Sequence, residues 1–284
     1  MERFDEAKTR KVKRMKIIAL DYDGVIVDSD IKYFIIGYNA FLKAKNGNPT
    51  PLLEGRFLSY EDSDKIKEAY PEEVHQYYQM RPFCRMATDY GVIFLMMESH
   101  KMIDNQADFD VFKEKSDFPW DDYYDYFFEE KDKADHINTQ KNLSLEPVYP
   151  EIITGCQKML QDGLKVVITS LNIRPDIARY LHSPEIALNI PWEDIFDHRF
   201  GYDKVEQMKK IVEIYAVSFQ DIYFIDDQID HLYRPMDLGI QVFLAGWSYA
   251  NAKQIKMARE QGMPVVANPG DFYEQLKKYM KIKP

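Results

Sequence analysis

Lys16-Ile17-Ile18-Ala19-Leu20-Asp21-Tyr22-Asp23-Gly24-Val25-Ile26-Val27-Asp28-Ser29 is the stretch that decides the fold. Its first five residues, Lys16–Leu20, include a short continuous apolar run with two isoleucines. The run ends abruptly at Asp21 and Gly24. A run without polar alternation fits a strand buried on both faces of a parallel sheet. Two carboxylates one residue apart follow at its carboxyl end, where ligands of open α/β sheets bind. Gly24 allows a sharp turn and a close approach of backbone to ligand. Asp and Gly are also ordinary turn residues, so Asp-x-Asp-Gly alone does not establish a site.

The remaining chain repeats the strand signal. Leu164–Thr169 follows a helix over Pro150–Gln161 and the turn Asp162-Gly163, and Asp221–Ile225 follows a helix over Lys204–Tyr215. Ile240–Leu244 follows the stop Leu238-Gly239, Val265–Ala267 adds a short edge strand, and Asp271–Lys281 a last helix. Strands alternating with helices predict a doubly wound α/β sheet. About 120 residues separate the first two strands, where a crossover needs only about a dozen. They carry helical spacing over Ile31–Lys45, Ser63–Met80, Pro82–Met102 and Trp120–Ala134. The sequence therefore predicts a core formed by residues 1–29 and 146–284, with a mainly helical domain, residues 30–145, inserted after strand one.

Composition sets the boundaries. The 284 residues are 45% hydrophobic and 30% charged, enough for a core with a well-solvated surface. No apolar run approaches the ~20 residues that cross a bilayer. The basic start from Lys8 to Lys16 lacks a small-residue cleavage site and reads as a solvated leader to the first strand. Cys84 and Cys156 belong to no motif, so a reduced cytoplasmic protein is expected. The net charge is −10, and Asp30–Tyr149, with 14 basic against 23 acidic residues, carries nearly all of it. That field repels nucleic acid but not a small phosphate ester beside a metal.

Three further strand-end or adjacent positions bear chemistry. Asp226-Asp227 ends the strand Asp221–Ile225, where acids from two parallel strands can converge on one hard cation such as Mg2+; helix capping by Asp226, Asp227 and Asp230 is the competing reading. Thr169-Ser170 ends another strand, and a hydroxyl with nearby N–H groups there can hold a phosphate oxygen. It can equally cap the helix Arg174–Leu181. Lys204 opens the helix before Asp221–Ile225, where an ammonium can offset phosphoryl charge.

The order Asp-x-Asp, Thr, Lys, Asp-Asp resembles the haloacid dehalogenase superfamily of aspartate-nucleophile phosphohydrolases. The resemblance covers about Lys16–Ser29 and Pro150–Leu244, and the long insertion resembles the helical cap of the members whose cap follows strand one. It implies a Rossmann-like core with an inserted cap. It further implies that Asp21 is the nucleophile, forming an aspartyl-phosphate, and that Asp23 is the general acid and base. Thr169, Ser170 and Lys204 would bind the phosphoryl group. Mg2+ would be held by Asp21, the backbone carbonyl of Asp23, and Asp226 or Asp227. The implied activity is hydrolysis of a small organic phosphate monoester, the partner being a phosphorylated metabolite. A sugar-phosphate mutase and a non-catalytic phosphate-binding protein are the alternatives. Asp23 argues against dehalogenation, because dehalogenating members lack that second carboxylate.

Several positions depart from the family pattern. Val25 stands where Thr is common, Ser170 where Asn is common, and Val205 rather than Pro follows Lys204, leaving Lys209 and Lys210 as substitutes. Both Asp226 and Asp227 are acidic where Gly-Asp is usual, and counting back from Leu238-Gly239 favours Asp227 as the direct ligand. The inserted domain is rich in aromatics, among them Tyr77, Tyr78, Phe83, Tyr90, Phe94, Trp120, Tyr123, Tyr124, Tyr126, Phe127 and Phe128, whose spacing is mostly that of core. Arg56, Arg81, Arg85 and His100 are candidate substrate contacts, and Asp28 and Ser29 read as an N-cap pair for the first inserted helix.

Overall fold

The structure, a computed structural model, describes residues 15–141 and 145–280. The leader read from Lys8 lies outside the described residues as far as residue 14, as does Lys281 at the end of the last helix. Six parallel strands form one sheet: β1 (Ile17–Asp21), β2 (Lys165–Thr169), β3 (Ile195–Phe196), β4 (Ile222–Asp226), β5 (Gln241–Ala245) and β6 (Val265–Val266). Their order is β3-β2-β1-β4-β5-β6. The chain thus winds outward from β1 in both directions, and the reversal falls beside β1, where open α/β sheets place their ligands. In register, Asp21 lies opposite Thr169, and Leu20 opposite Ile225.

Successive β1 residues enter different cores, as the two-residue pleat requires. Ile18 and Leu20 pack with Ile152, Cys156, Met159 and Phe272. Those side chains come from α7 (Pro150–Gln161) and α12 (Phe272–Met280), with α8 (Arg174–Leu181) on the same face. Ile17 and Ala19 pack with Met208, Ile211, Leu232 and Ala258, from α9 (Lys204–Tyr215), α10 (Ile229–Asp237) and α11 (Ala252–Glu260). All five residues of β1 are buried. The continuous apolar run in the sequence is therefore the central strand of a three-layer sandwich.

The inserted segment is helical: α1 (Asp30–Ala44), α2 (Ile66–Ala69), α3 (Pro71–Met80), α4 (Ala87–Glu98), α5 (Gln106–Lys115) and α6 (Trp120–Lys141). These helices enclose a hydrophobic cluster of their own, running from Tyr33 to Leu145 and built largely from stacked and edge-on aromatics. Tyr77, Phe83, Tyr90, Phe94, Tyr123 and Phe127 are buried in it, whereas Tyr124 and Phe128 are exposed. The helix expected over Ser63–Met80 is broken. Tyr70 leaves the helical region at φ −134°, because the ring of Pro71 disfavours α geometry before it, and Pro71 starts α3 at its first position. The expected helix Pro82–Met102 is likewise shorter. A 3-10 turn over Arg81–Phe83 and an extended Met86 precede α4. Helix α5, capped by the Asn105 side chain, and the two-residue strand β3 were not foreseen.

Both passages between sheet and insertion are tied together. The turn after β1 closes with the Gly24 N–H on the Val27 carbonyl at 2.8 Å, and with the Ile26 and Val27 N–H groups on the Tyr22 carbonyl. Asp28 N–H then donates to Pro147 O at 2.8 Å, and Tyr149 N–H to Ile26 O at 2.9 Å. The outgoing and returning chains are thus paired beside the motif. Among the described residues no helix is long and apolar enough to cross a membrane.

Candidate active site

Asp21 closes β1 and is 8% exposed. Lys204, the first residue of α9, donates to Asp21 Oδ1 at 2.8 Å and to the Thr169 carbonyl at 2.9 Å. Its Nζ lies 3.5 Å from Asp226 Oδ2. One ammonium therefore sits between the carboxylates that end two neighbouring strands. The helix that presents it is fixed by Asp203, whose side chain accepts the Val205 N–H at 2.7 Å. Lys209 and Lys210 are exposed, and Lys210 pairs with Glu213, so of the three lysines Lys204 is the one at the strand ends.

The electrostatics follow from burial. Burial raises the Asp21 pKa to about 7; Lys204 opposes the rise and Asp226 adds to it. Burial also works against the Lys204 charge, but Asp21 and Asp226 outweigh it and hold its pKa above the ordinary lysine value. The two partners thus shift in ways that simple pairing does not give. Pairing alone would lower Asp21, and it is the loss of water around its carboxylate that decides the sign. Burial raises Asp226 too, yet His231 and Lys204 bring it below the usual carboxylate range. Asp227 is held well above that range by burial and by Asp226.

Asp226 and Asp227 do not share one environment. Asp226 Oδ1 accepts the Gln228 N–H at 2.8 Å, and His231 Nδ1 lies 3.3 Å from both its oxygens. Asp21, Asp226 and His231 offer ligand atoms within 4.8 Å of one another, the group of three among the described residues that could hold a metal ion. Asp227 lies on the Gly24 side instead. A Cβ on Gly24 would fall 2.8 Å from Asp227 Cγ and 2.7 Å from both Ser248 Oγ and the Tyr249 ring, and Gly24 adopts φ +72°. Both acids are buried, and the cation of Arg81 opposes the rise at Asp227.

The other predicted residues are near but differently engaged. Thr169 Oγ1 donates to the Leu20 carbonyl at 3.3 Å, and Ser170 Oγ accepts the Asn172 N–H at 3.0 Å. Asp23 has a different partner: its Oδ2 accepts from Asn172 Nδ2 at 2.7 Å. Of the candidate substrate contacts, Arg81 is buried, donates to Asp30 at 3.1 Å and lies 4.0 Å over the Tyr249 ring. Arg56 and His100 are exposed, and Arg85 pairs with Asp110 and Asp230. Ser29 does not cap α1 with its side chain, and instead meets Tyr249 through its N–H and hydroxyl. Asn172, Tyr33 and His231 were missed by sequence reasoning. Asn172 stands two positions beyond Thr169-Ser170, which was the available signal.

An array of three buried carboxylates and one ammonium carries two uncompensated negative charges when fully ionised. Burial resists this by pushing Asp21 and Asp227 toward neutrality. A divalent cation relieves the same strain, and the oxygen-rich donor set suits a hard one.

No family model and no curated protein matches the chain. Solved structures do. A predicted phosphoglycolate phosphatase from Haemophilus somnus superposes with TM-score 0.57 at 12% identity, over 93% of this chain and 99% of that one. A haloacid dehalogenase-like family hydrolase from Streptococcus pneumoniae gives 0.56 at 14%, over 94% and 98%. A hydrolase of the same family from Deinococcus radiodurans, with bound phosphate and sodium, gives 0.56 at 12%, over 95% and 99%. The near-complete coverage includes both the sheet and the helical insertion. This chain has the fold of the haloacid dehalogenase-like hydrolases.

Proposed function

We propose that this protein is a magnesium-dependent phosphatase that hydrolyses a small organic phosphate monoester through an aspartyl-phosphate on Asp21. The observation that carries the reading is the buried Asp21–Lys204–Asp226 array at the carboxyl edge of the sheet, with a second carboxylate, Asp23, two residues beyond the first. The Deinococcus radiodurans hydrolase with bound phosphate is similar over 95% of this chain and supports a phosphate site in this fold.

A carboxylate attacks a dianionic phosphate poorly unless cations cancel the repulsion. Lys204 supplies one positive charge at the site. Asp21, the Asp23 carbonyl and Asp226, with Asp227 close by, are the groups that would hold Mg2+, which when bound would neutralise phosphoryl and carboxylate charge. Asp21 attacks phosphorus through one carboxylate oxygen. The bond to the leaving oxygen breaks, and that oxygen takes a proton from Asp23. Asp23, now a carboxylate, takes a proton from water, whose oxygen attacks the phosphorus of the aspartyl-phosphate. Phosphate leaves and Asp21 is regenerated. Thr169 and Ser170 border the phosphoryl position. The substrate is a small phosphorylated metabolite, admitted between the sheet edge and the helical cap, where closure excludes water.

Phosphate release from a panel of phosphate monoesters with Mg2+ tests this. Asp21→Asn should lose at least ~10³-fold in kcat, since it removes the nucleophile. Full activity in that variant would exclude Asp21 as nucleophile.

A further inference from the structure

Three segments that are distant in sequence meet at the side chain of Asp23. Its Oδ2 accepts from Asn172 Nδ2 at 2.7 Å, and Asn172 Oδ1 accepts from the Tyr33 hydroxyl at 3.3 Å. Its Oδ1 is buried and has no hydrogen-bond partner among the described residues. Asp23 follows β1, Asn172 follows β2, and Tyr33 belongs to α1 of the helical insertion.

Each link is held in place. Asn172 is anchored by its own N–H on Ser170 Oγ. Tyr33 is 6% exposed, with its ring stacked on Tyr90 at 5.2 Å and on Phe127 at 6.0 Å. Burial, reinforced by Asp23, pushes the Tyr33 hydroxyl well above the ordinary tyrosine pKa, so it stays a donor. The direction of the amide then follows from chemistry. An ionised carboxylate can only accept, so the amide NH2 faces Asp23 and the amide oxygen is left for the phenol O–H.

We infer that Asn172 and Tyr33 are positioning residues that decide which oxygen of Asp23 handles the proton. An N–H aimed at Oδ2 disfavours a proton on that oxygen, because a protonated carboxyl oxygen is a much weaker acceptor than a carbonyl-type one. The proton Asp23 donates therefore sits by preference on Oδ1, the oxygen without a protein partner. Oδ1 is thereby left to meet the leaving group and afterwards the attacking water. Because Tyr33 is on the cap, the orientation is complete when α1 lies over the sheet edge. Neither residue touches the reacting atoms. The inference rests on the acid/base role proposed for Asp23 above.

The test compares two esters in full-length protein with Mg2+: an alkyl phosphate, whose leaving oxygen needs protonation, and p-nitrophenyl phosphate, whose leaving group departs largely without it. Asn172→Ala should lower kcat on the alkyl ester by about 10²-fold, the lower end of general-acid contributions, and on p-nitrophenyl phosphate several-fold at most, with KM little changed on both. Asn172→Asp should be at least as impaired on the alkyl ester, since it places a carboxylate against a carboxylate. Tyr33→Phe keeps the ring packing, so it remains folded, and should show the same selective fall at smaller size. Equal falls on both esters would mean a structural role and overturn the inference; so would no fall on the alkyl ester. If the native protein hydrolyses neither ester, it is the phosphatase reading that fails, and if Asp21→Asn keeps its activity, it is the assignment of Asp21 as nucleophile; in either case the inference falls with it.

Discussion

Asp21→Asn should stabilise the metal-free protein while removing its turnover. In the fold, burial lifts the Asp21 pKa from 3.8 to about 7 despite Lys204 at 2.8 Å. A folded-state pKa above the unfolded one means that the folded protein binds more protons between those values. Stability therefore falls as pH rises through that window, and the loss is complete above pH 7. At about 1.4 kcal/mol per pKa unit, the ionised carboxylate costs the fold up to about 4 kcal/mol at pH 8. Asn mimics the neutral acid and does not carry that cost. Lys204 keeps Asp226 and the Thr169 carbonyl as partners in the variant. The expected gain is about 2 kcal/mol at pH 8, half the ceiling, because local relaxation already relieves part of a buried charge. At roughly 2–4 °C per kcal/mol for a chain near this size, the melting temperature should rise by about 4–8 °C. The assay is thermal and urea unfolding in EDTA from pH 4.5 to 8, repeated with Mg2+. The gain should shrink toward zero at the acid end, and Mg2+ should raise native stability more than that of the variant. A variant no more stable than native at pH 8, or a gain that does not diminish on acidification, would refute the reasoning.

Other expectations follow from the same geometry. Lys204→Met should reduce kcat about 10²–10³-fold, as for other removals of one electrostatic stabiliser, while Lys209→Met should change it less than twofold; steady-state kinetics on one ester decides. Gly24→Ala places a Cβ against Ser248, Tyr249 and Asp227 at positive φ, so it should cost about 2–4 kcal/mol in urea melts and weaken Mg2+ binding by calorimetry about tenfold or more. Lys32 is 2% exposed and lies 2.7 Å from both Asp135 and Glu146; Asp135 keeps Lys131 as a partner, so Lys32→Met should strand the buried Glu146 carboxylate and cost about 3 kcal/mol, read as a lower unfolding midpoint.

The positions of Asp21, Thr169 and Lys204 were legible in the sequence because each lies at the end or start of an element with a clear pattern. A continuous apolar run ending in a carboxylate has one natural place, a central parallel strand with its acid at the ligand edge. The insertion was legible from length alone, since no crossover needs so many residues. Its internal breaks were only partly so. Pro71 ends a helix through a local clash that sequence announces, whereas the shortness of α4 depends on how Arg81–Phe83 meets Tyr249 and Gln254 of the core.

Sequence by itself determined the principal strands and which chemical groups arrive at their ends, because those are set by periodicity and neighbouring residues. The tertiary structure decided which way those groups face. Asp226 and Asp227 are adjacent, and successive residues at a strand end point to opposite sides. Counting residues favoured Asp227, yet it is Asp226 that lies with Lys204, Asp21 and His231. Asp23 is two residues from Asp21, yet its partner Asn172, and Tyr33 bonded in turn to Asn172, lie 149 and ten positions from it in the chain, and only the register of β1 beside β2 and the seating of α1 bring them together. The pKa of Asp21 has the same origin, since no sequence pattern states how much water a folded chain excludes from a carboxylate.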